Sequence, residues 1–296
     1  MQLRLCLRPS GSPLGEFSLC SKLTSKSYPF IILLIIHTGL LIYVFIKKKD
    51  KKRLFILLLS NIGMAYLFEY FVLNLGQAYS YRPKILKNRY LDNIFGANLS
   101  QASYVPFTAI LITAFQFGWK LKLLFSLYFV CIEKLFIVMG VYRHHWWKTT
   151  YTGIFLPILF YISDLWYKYL KQGNSYILFM TLYFMTLVTG VNTLYVFAVL
   201  RKFKFGLGRF HSWKEHFKIA PIYSLALSFI TVLGLTRGDS WKVKVNVLIM
   251  IKSVDLFLKK SDIPKGKFYN FFLNNGIHVM MIYLTSQYKK MISRSV

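Results

Sequence analysis

Two carboxylates stand inside apolar sequence, and a histidine pair stands among cations and indoles. Glu69 is preceded by fifteen uncharged residues and followed by twelve before Arg82. An Asp, Lys or Arg at the centre of a membrane helix costs about 2.5–3.5 kcal/mol on insertion scales and faces protein or water. Glu69 is therefore a proton or cation site, an anchor for a cationic group, or a hydrogen-bonded carboxyl that glues helices together. Glu133 raises the same question. It shares a helix face with Ser126 and Gly140, whereas Lys134 points about 100° away, so partners from a basic loop are expected. The decapeptide Tyr142–Tyr151 is the third candidate. Arg143, His144, His145 and Lys148 are donors suited to an anionic head group. Adjacent histidines diverge in either regular structure, and no HExxH spacing is present, so a metal site lacks its ligand pattern. Tyr142, Trp146, Trp147 and Tyr151 are rings of the kind that settle at a membrane interface. Anchoring there is the leading reading. No catalytic, cofactor or metal set assembles from spacing.

The composition says what must hold these groups. The 296 residues are 55% hydrophobic and 16% charged, against about a quarter charged in a soluble domain. The apolar residues fall in long runs, and about 20 such residues span a bilayer. The runs cover 29–46, 54–79, 94–118, 119–140, 151–170, 176–200 and 219–235. The fold class expected is an all-α polytopic transmembrane bundle of six to eight membrane segments. It is preceded by a disordered basic tail (1–28) and occupies 29–235. Residues 236–296 then supply an amphipathic interfacial helix at 244–260 and a last candidate span at 268–288. Pro106 and Pro157 interrupt two runs, and a proline there frees a carbonyl that another helix must cover. Small residues at four-residue spacing, such as Ala220, Ser224 and Ser228, mark close helix packing. Gln101, Thr108 and Asn192 are candidates to line a polar cavity.

Charge sets the partners. There are 38 Lys and Arg against ten Asp and Glu, a net of +28. The cations cluster between the apolar runs, as in 47–53 and 201–218, which suits loops at an anionic lipid surface. The expected partners are a bilayer with anionic head groups and other membrane proteins, with nucleic acid excluded. The two basic loops are separated by five runs, so full crossing by all of them puts the loops on opposite sides. A re-entrant or broken fourth run (119–140), with only about 15 Å of uninterrupted apolar helix at Leu123–Ile132, would return them to one side. Cys6, Cys20 and Cys131 have no metal-type spacing. The "GDS" at 238–240, "NLS" at 98–100 and "GLG" at 206–208 each lack the context that would give them meaning.

The segments "YRPKILKNRYLDNIFGANLSQASYVPF" (81–107), "GWKLKLLF" (118–125), "IEKLF" (132–136) and "GVYRHHWWKTTY" (140–151) resemble a group of uncharacterised multi-pass membrane proteins of spore-forming Firmicutes. The resemblance covers about the central quarter of the chain and excludes residues 1–28. It implies a helical bundle in the bacterial cytoplasmic membrane, and it implies Glu133 and the His-Trp-Trp-Lys segment as shared features, with no established activity. Three function classes follow. The first is a non-enzymatic membrane component that interacts with lipids or membrane proteins. The second is a small-solute or ion transporter using Glu69 and Glu133. The third is a membrane enzyme acting on lipid-linked phosphates.

Overall fold

Apolar runs separated by short basic turns produce helices that return alongside one another, and the chain does this throughout. The structure is a computed structural model and describes residues 24–200, 204–206, 212–261, 263–265 and 271–295. The expected tail and the "GLG" stretch therefore lie mostly outside the described residues. The elements are α1 (Tyr28–Lys47), α2 (Lys51–Glu69) extended by a π-helical turn (Tyr70–Leu75), β1 (Tyr79–Tyr81), α3 (Arg89–Leu99), a second π turn (Ser100–Tyr104), α4 (Val105–Ala114), α5 (Trp119–Val138), β2 (Tyr142–His144), α6 (Thr149–Lys171), α7 (Ser175–Val199), β3 (Lys204–Phe205), α8 (Trp213–Thr236), α9 (Trp241–Lys260), β4 (Pro264–Lys265) and α10 (Phe271–Ser293). The fold is all-α. Four helices are long and apolar enough to cross a membrane: α1, α2 with its extension, α7 and α8. The expectation of six to eight segments goes beyond these four.

Side-chain bonds show which turns share an end of the bundle. At one end, the Tyr167 hydroxyl near the close of α6 donates to Asp50 in the α1–α2 turn, and Arg53 Nε donates to the Ser295 carbonyl. Ser286 of α10 donates to Asp239 in the α8–α9 turn. At the other end, Ser27 Oγ donates to the Pro83 carbonyl, Tyr70 to the Lys218 carbonyl, and the Phe205 N–H to His216. Two small antiparallel sheets close that end. One pairs β1 with β2, Tyr79 opposite His144 and Tyr81 opposite Tyr142. The other pairs β3 with β4.

Three expectations change. First, the fourth run is not broken: α5 is one continuous helix of 20 residues, about 30 Å long, and it runs antiparallel to α6. The charges that seemed to interrupt it are matched by α6 and by the strand before it. Lys122 pairs with Asp164, and Glu133 pairs with His144. The α1–α2 turn and β3 consequently sit at opposite ends. Second, Pro106 does not break the third run. It sits at the second residue of α4, just after the π turn, where the wider spacing relieves the clash between its ring and the carbonyl one turn back. Third, an acid of α9 that stands among lysines in the sequence is drawn inward. Val247, Ile251 and Asp255 face α8 and α10, while Ile249, Met250, Leu256 and Phe257 are exposed. Asp255 turns inward because Tyr223 and Lys252 both donate to it.

The stripes of small residues act as packing surfaces. Ala220, Ser224 and Ser228 are buried, with Ser224 against Gly190. Gly63 lies so close to α7 that a Cβ there would sit 2.5 Å from the Cβ of Phe184 and 2.9 Å from its backbone. Gly63→Val is expected to cost about 1–3 kcal/mol, the usual range for overpacking, read as a lowered denaturation midpoint in mild detergent. An unchanged midpoint would contradict the α2–α7 contact.

Asp239 ties α8–α9 to α10. Bonds from Ser286 and Lys244 hold its carboxyl down to about 2 from 3.8. A depressed carboxylate contributes stability above its unfolded value and loses it as pH falls through the folded one. Between pH 4 and pH 2 the wild type should therefore lose more stability than Asp239→Asn, as thermal melts at the two pH values would show.

Candidate functional site

The β1–β2 pair sorts the decapeptide by the two-residue period of a strand. Tyr142 and His144 face inward with Tyr79 and Tyr81, while Arg143 between them is exposed. The backbone N–H groups of His145 and Trp147 both donate to the Ala78 carbonyl, which fixes the turn into α6. His145, Trp146 and Lys148 are exposed, and Trp147 is buried. Two of the four expected interface anchors, Tyr142 and Trp147, are thus core residues rather than lipid-facing rings. Tyr151 is partly buried with its ring 5.4 Å from Trp147. Trp146 lies at the surface, where its indole donates to the Gly76 carbonyl at 2.6 Å.

His144 Nε2 donates to Glu133 Oε1 at 2.7 Å. The other oxygen of Glu133 accepts from the Thr152 hydroxyl, which itself accepts from the Trp147 indole at 2.9 Å. The sequence pointed to a basic loop for the partner of Glu133. The partners are one histidine of that loop and a hydroxyl one turn into α6. Arg143, His145 and Lys148 are outside the cluster.

Glu69 ends the α-helical part of α2, where the π turn begins. It is 7% exposed. Oε2 accepts from the Tyr79 hydroxyl at 2.6 Å and from Gln101 Nε2 at 3.1 Å. Tyr79 belongs to β1 and Gln101 to the second π turn, so this one oxygen joins three elements. Burial, and then the Glu69 carboxylate beside it, push the Tyr79 phenol well above its usual range, which keeps it a proton donor. Oε1 is buried without a hydrogen-bond partner.

Glu133 borders a pocket of about 300 Å³ between α1, α2, α4, α5 and α6. Glu133, Gln101, Ser100 and Thr152 give it a polar side. Glu69 stands directly behind Tyr79 and Gln101, which both line it. The remaining wall is largely aromatic and includes Tyr81, Tyr104, Phe129, Phe136, Tyr142 and Trp147. Phe68 of α2 and Phe155, Ile158 and Ile162 of α6 also line the pocket and are exposed. Of the polar trio Gln101, Thr108 and Asn192, only Gln101 lines this space. Thr108 bonds the Tyr104 carbonyl, and Asn192 accepts from Tyr66.

Two other buried polar clusters escaped the sequence reading. Asn61 donates to Ser163, Thr113 donates to Asp164, and Asp164 pairs with Lys122. Asp255, Tyr223, His278 and Lys252 form the second. Apart from Lys252 and Asp255, three residues apart on one helix, their members are far apart in sequence, so local spacing does not signal the clusters. Among the described residues no group of three or more His, Cys, Asp or Glu is placed to hold a metal ion. The chain matches no protein-family model, no curated protein and no solved structure.

Glu133→Ala would strand the His144 and Thr152 donors and should cost about 1–3 kcal/mol. Lys134→Gln, one residue away on the other face, should stay within about 0.5 kcal/mol. Equal effects in detergent denaturation would contradict the pairing described.

Proposed function

We propose that this is a multi-pass integral membrane protein of the bacterial cytoplasmic membrane. In this reading it is a non-enzymatic component that takes an amphipathic molecule from the bilayer into the pocket between α2, α5 and α6. The observation that carries the reading is the pocket's composition: an aromatic chamber with carboxyl and amide acceptors at one side and exposed apolar side chains at another. Rings and a carboxylate together favour a cationic or donor-rich polar group, since an ammonium over an aromatic face gains about 0.5–2 kcal/mol. The apolar part of such a ligand would lie along Phe68, Phe155 and Ile158 and enter from the lipid. The helices beyond the four most apolar ones run in alternation beside them, which supports six or more crossings. Residence in a bacterial membrane rests on the resemblance of the central segments. Exposed Arg143, His145 and Lys148 suit contact with anionic head groups at the surface.

A small-solute or ion transporter using Glu69 and Glu133 is the second reading. It is favoured by the position of Glu69 between this pocket and a second, smaller cavity. An enzyme for lipid-linked phosphates finds less support, because His144 is taken up by Glu133 while Arg143, His145 and Lys148 lie outside that cluster.

The test compares amphiphiles of equal chain length and opposite head charge. Purified protein should bind dodecyltrimethylammonium with saturable quenching of tryptophan fluorescence, and Glu133→Gln should weaken this by about tenfold, as for loss of a charged contact. Dodecyl sulfate binding as tightly as the ammonium, or an unchanged affinity in Glu133→Gln, would overturn the reading.

A further inference from the structure

Behind Glu69, on the side away from the large pocket, α2, α3, α7 and α8 enclose a cavity of about 60 Å³. Glu69, Asn74 and Ser224 are on its wall. Each is at least nine-tenths buried, and each has a buried oxygen with no hydrogen-bond partner: Glu69 Oε1, Asn74 Oδ1 and Ser224 Oγ. Unpaired acceptors at such depth are costly, about 1–3 kcal/mol each, unless something occupies the space between them. No lysine or arginine lines the cavity. The contrast with the other acids is sharp. Asp50, Asp164, Asp239 and Asp255 each have a Lys or Arg partner, Glu133 has His144, and Asp92 accepts three backbone N–H groups. In a chain of net charge +28, among the described residues Glu69 is a buried carboxylate with no cationic partner and one oxygen left unbonded, whereas Asp92, also without a cation, has both oxygens bonded.

We infer that this cavity is a binding site for a monovalent cation of the sodium class, held by Glu69 Oε1, Asn74 Oδ1 and the Ser224 hydroxyl. The three proposed ligands are all oxygen, which suits a hard cation; the His216 imidazole also borders the cavity. It carries one negative charge, whereas divalent ions in protein sites are bound through several carboxylates or through carboxylate and phosphate together. The remaining positions fall to water, for which a cavity of this size has room. The π turn immediately after Glu69 carries Asn74 and helps form the wall, in keeping with the occurrence of such turns at functional sites. Because the other oxygen of Glu69 holds Tyr79 and Gln101, an ion here also steadies one wall of the large pocket. The inference concerns binding alone and does not depend on what the large pocket takes.

The test uses the full chain in uncharged detergent at constant ionic strength, with sodium chloride replaced stepwise by choline chloride. Sodium should raise the thermal midpoint saturably where choline does not, and equilibrium dialysis with radioactive sodium should approach one ion per chain. Glu69→Gln should abolish the sodium-dependent shift. Asn74→Ala and Ser224→Ala should raise the half-saturating concentration by roughly tenfold each, the loss of one contact to a charged group, and they decide the matter if Glu69→Gln does not fold. Ser253→Ala, exposed on α9, should leave the response intact. Identical midpoints in sodium and choline, as for a site that takes only a proton or water, would overturn the inference. So would a sodium response that survives in Asn74→Ala and Ser224→Ala unchanged.

Discussion

A carboxylate within hydrocarbon has to be matched by donors, because water is not there to solvate it. Glu69 meets this constraint by drawing Tyr79 and Gln101 onto one oxygen. Those donors come from the short strand after α2 and from the π turn between α3 and α4. The bond therefore sets the strand against the helices and gives the large pocket one of its walls. Glu133 repeats the logic across α5, β2 and α6, with His144 and Thr152 as donors. The pocket is the space left between these two fastenings.

Helix irregularity serves the same end. Two π turns meet the Glu69 side chain, one beginning just after it in sequence and one supplying Gln101. A wider turn rotates the residues that follow it and re-aims side chains that a regular helix would direct elsewhere. Pro106 makes one of these irregularities cheap, since it has no N–H to lose. The site is consequently built where backbone geometry and buried charge both depart from the simplest membrane helix, while the rest of the bundle relies on small residues such as Gly63 and Gly234 for close packing.

Much of the architecture was legible in the residues. Apolar runs gave the helices, and the cations gave the turns between them. Glu69 and Glu133 stood out because their neighbours are uncharged. The divergence of His144 and His145 was also readable, since either regular structure separates neighbours. What could not be read is long-range. Lys122 and Asp164 each look like an interruption of an apolar helix, and only the α5–α6 pairing turns them into a matched pair that lets α5 run unbroken. Tyr142 and Trp147 have the chemistry of interface rings but belong to a strand and turn that face the core. Asp255 sits among lysines in sequence, yet its helix turns it toward Tyr223. In each case a partner more than ten residues away overrides the local pattern.

The central claim is that Glu69 and Tyr79 act as one unit that holds the strand to the helices. A double-mutant cycle of Glu69→Gln and Tyr79→Phe, followed by unfolding in mild detergent, measures this directly. The account gives a coupling of about 1–3 kcal/mol, the range for residues sharing a buried hydrogen bond to a charged group. Additive effects of the two substitutions, with a coupling within about 0.3 kcal/mol of zero, would contradict it.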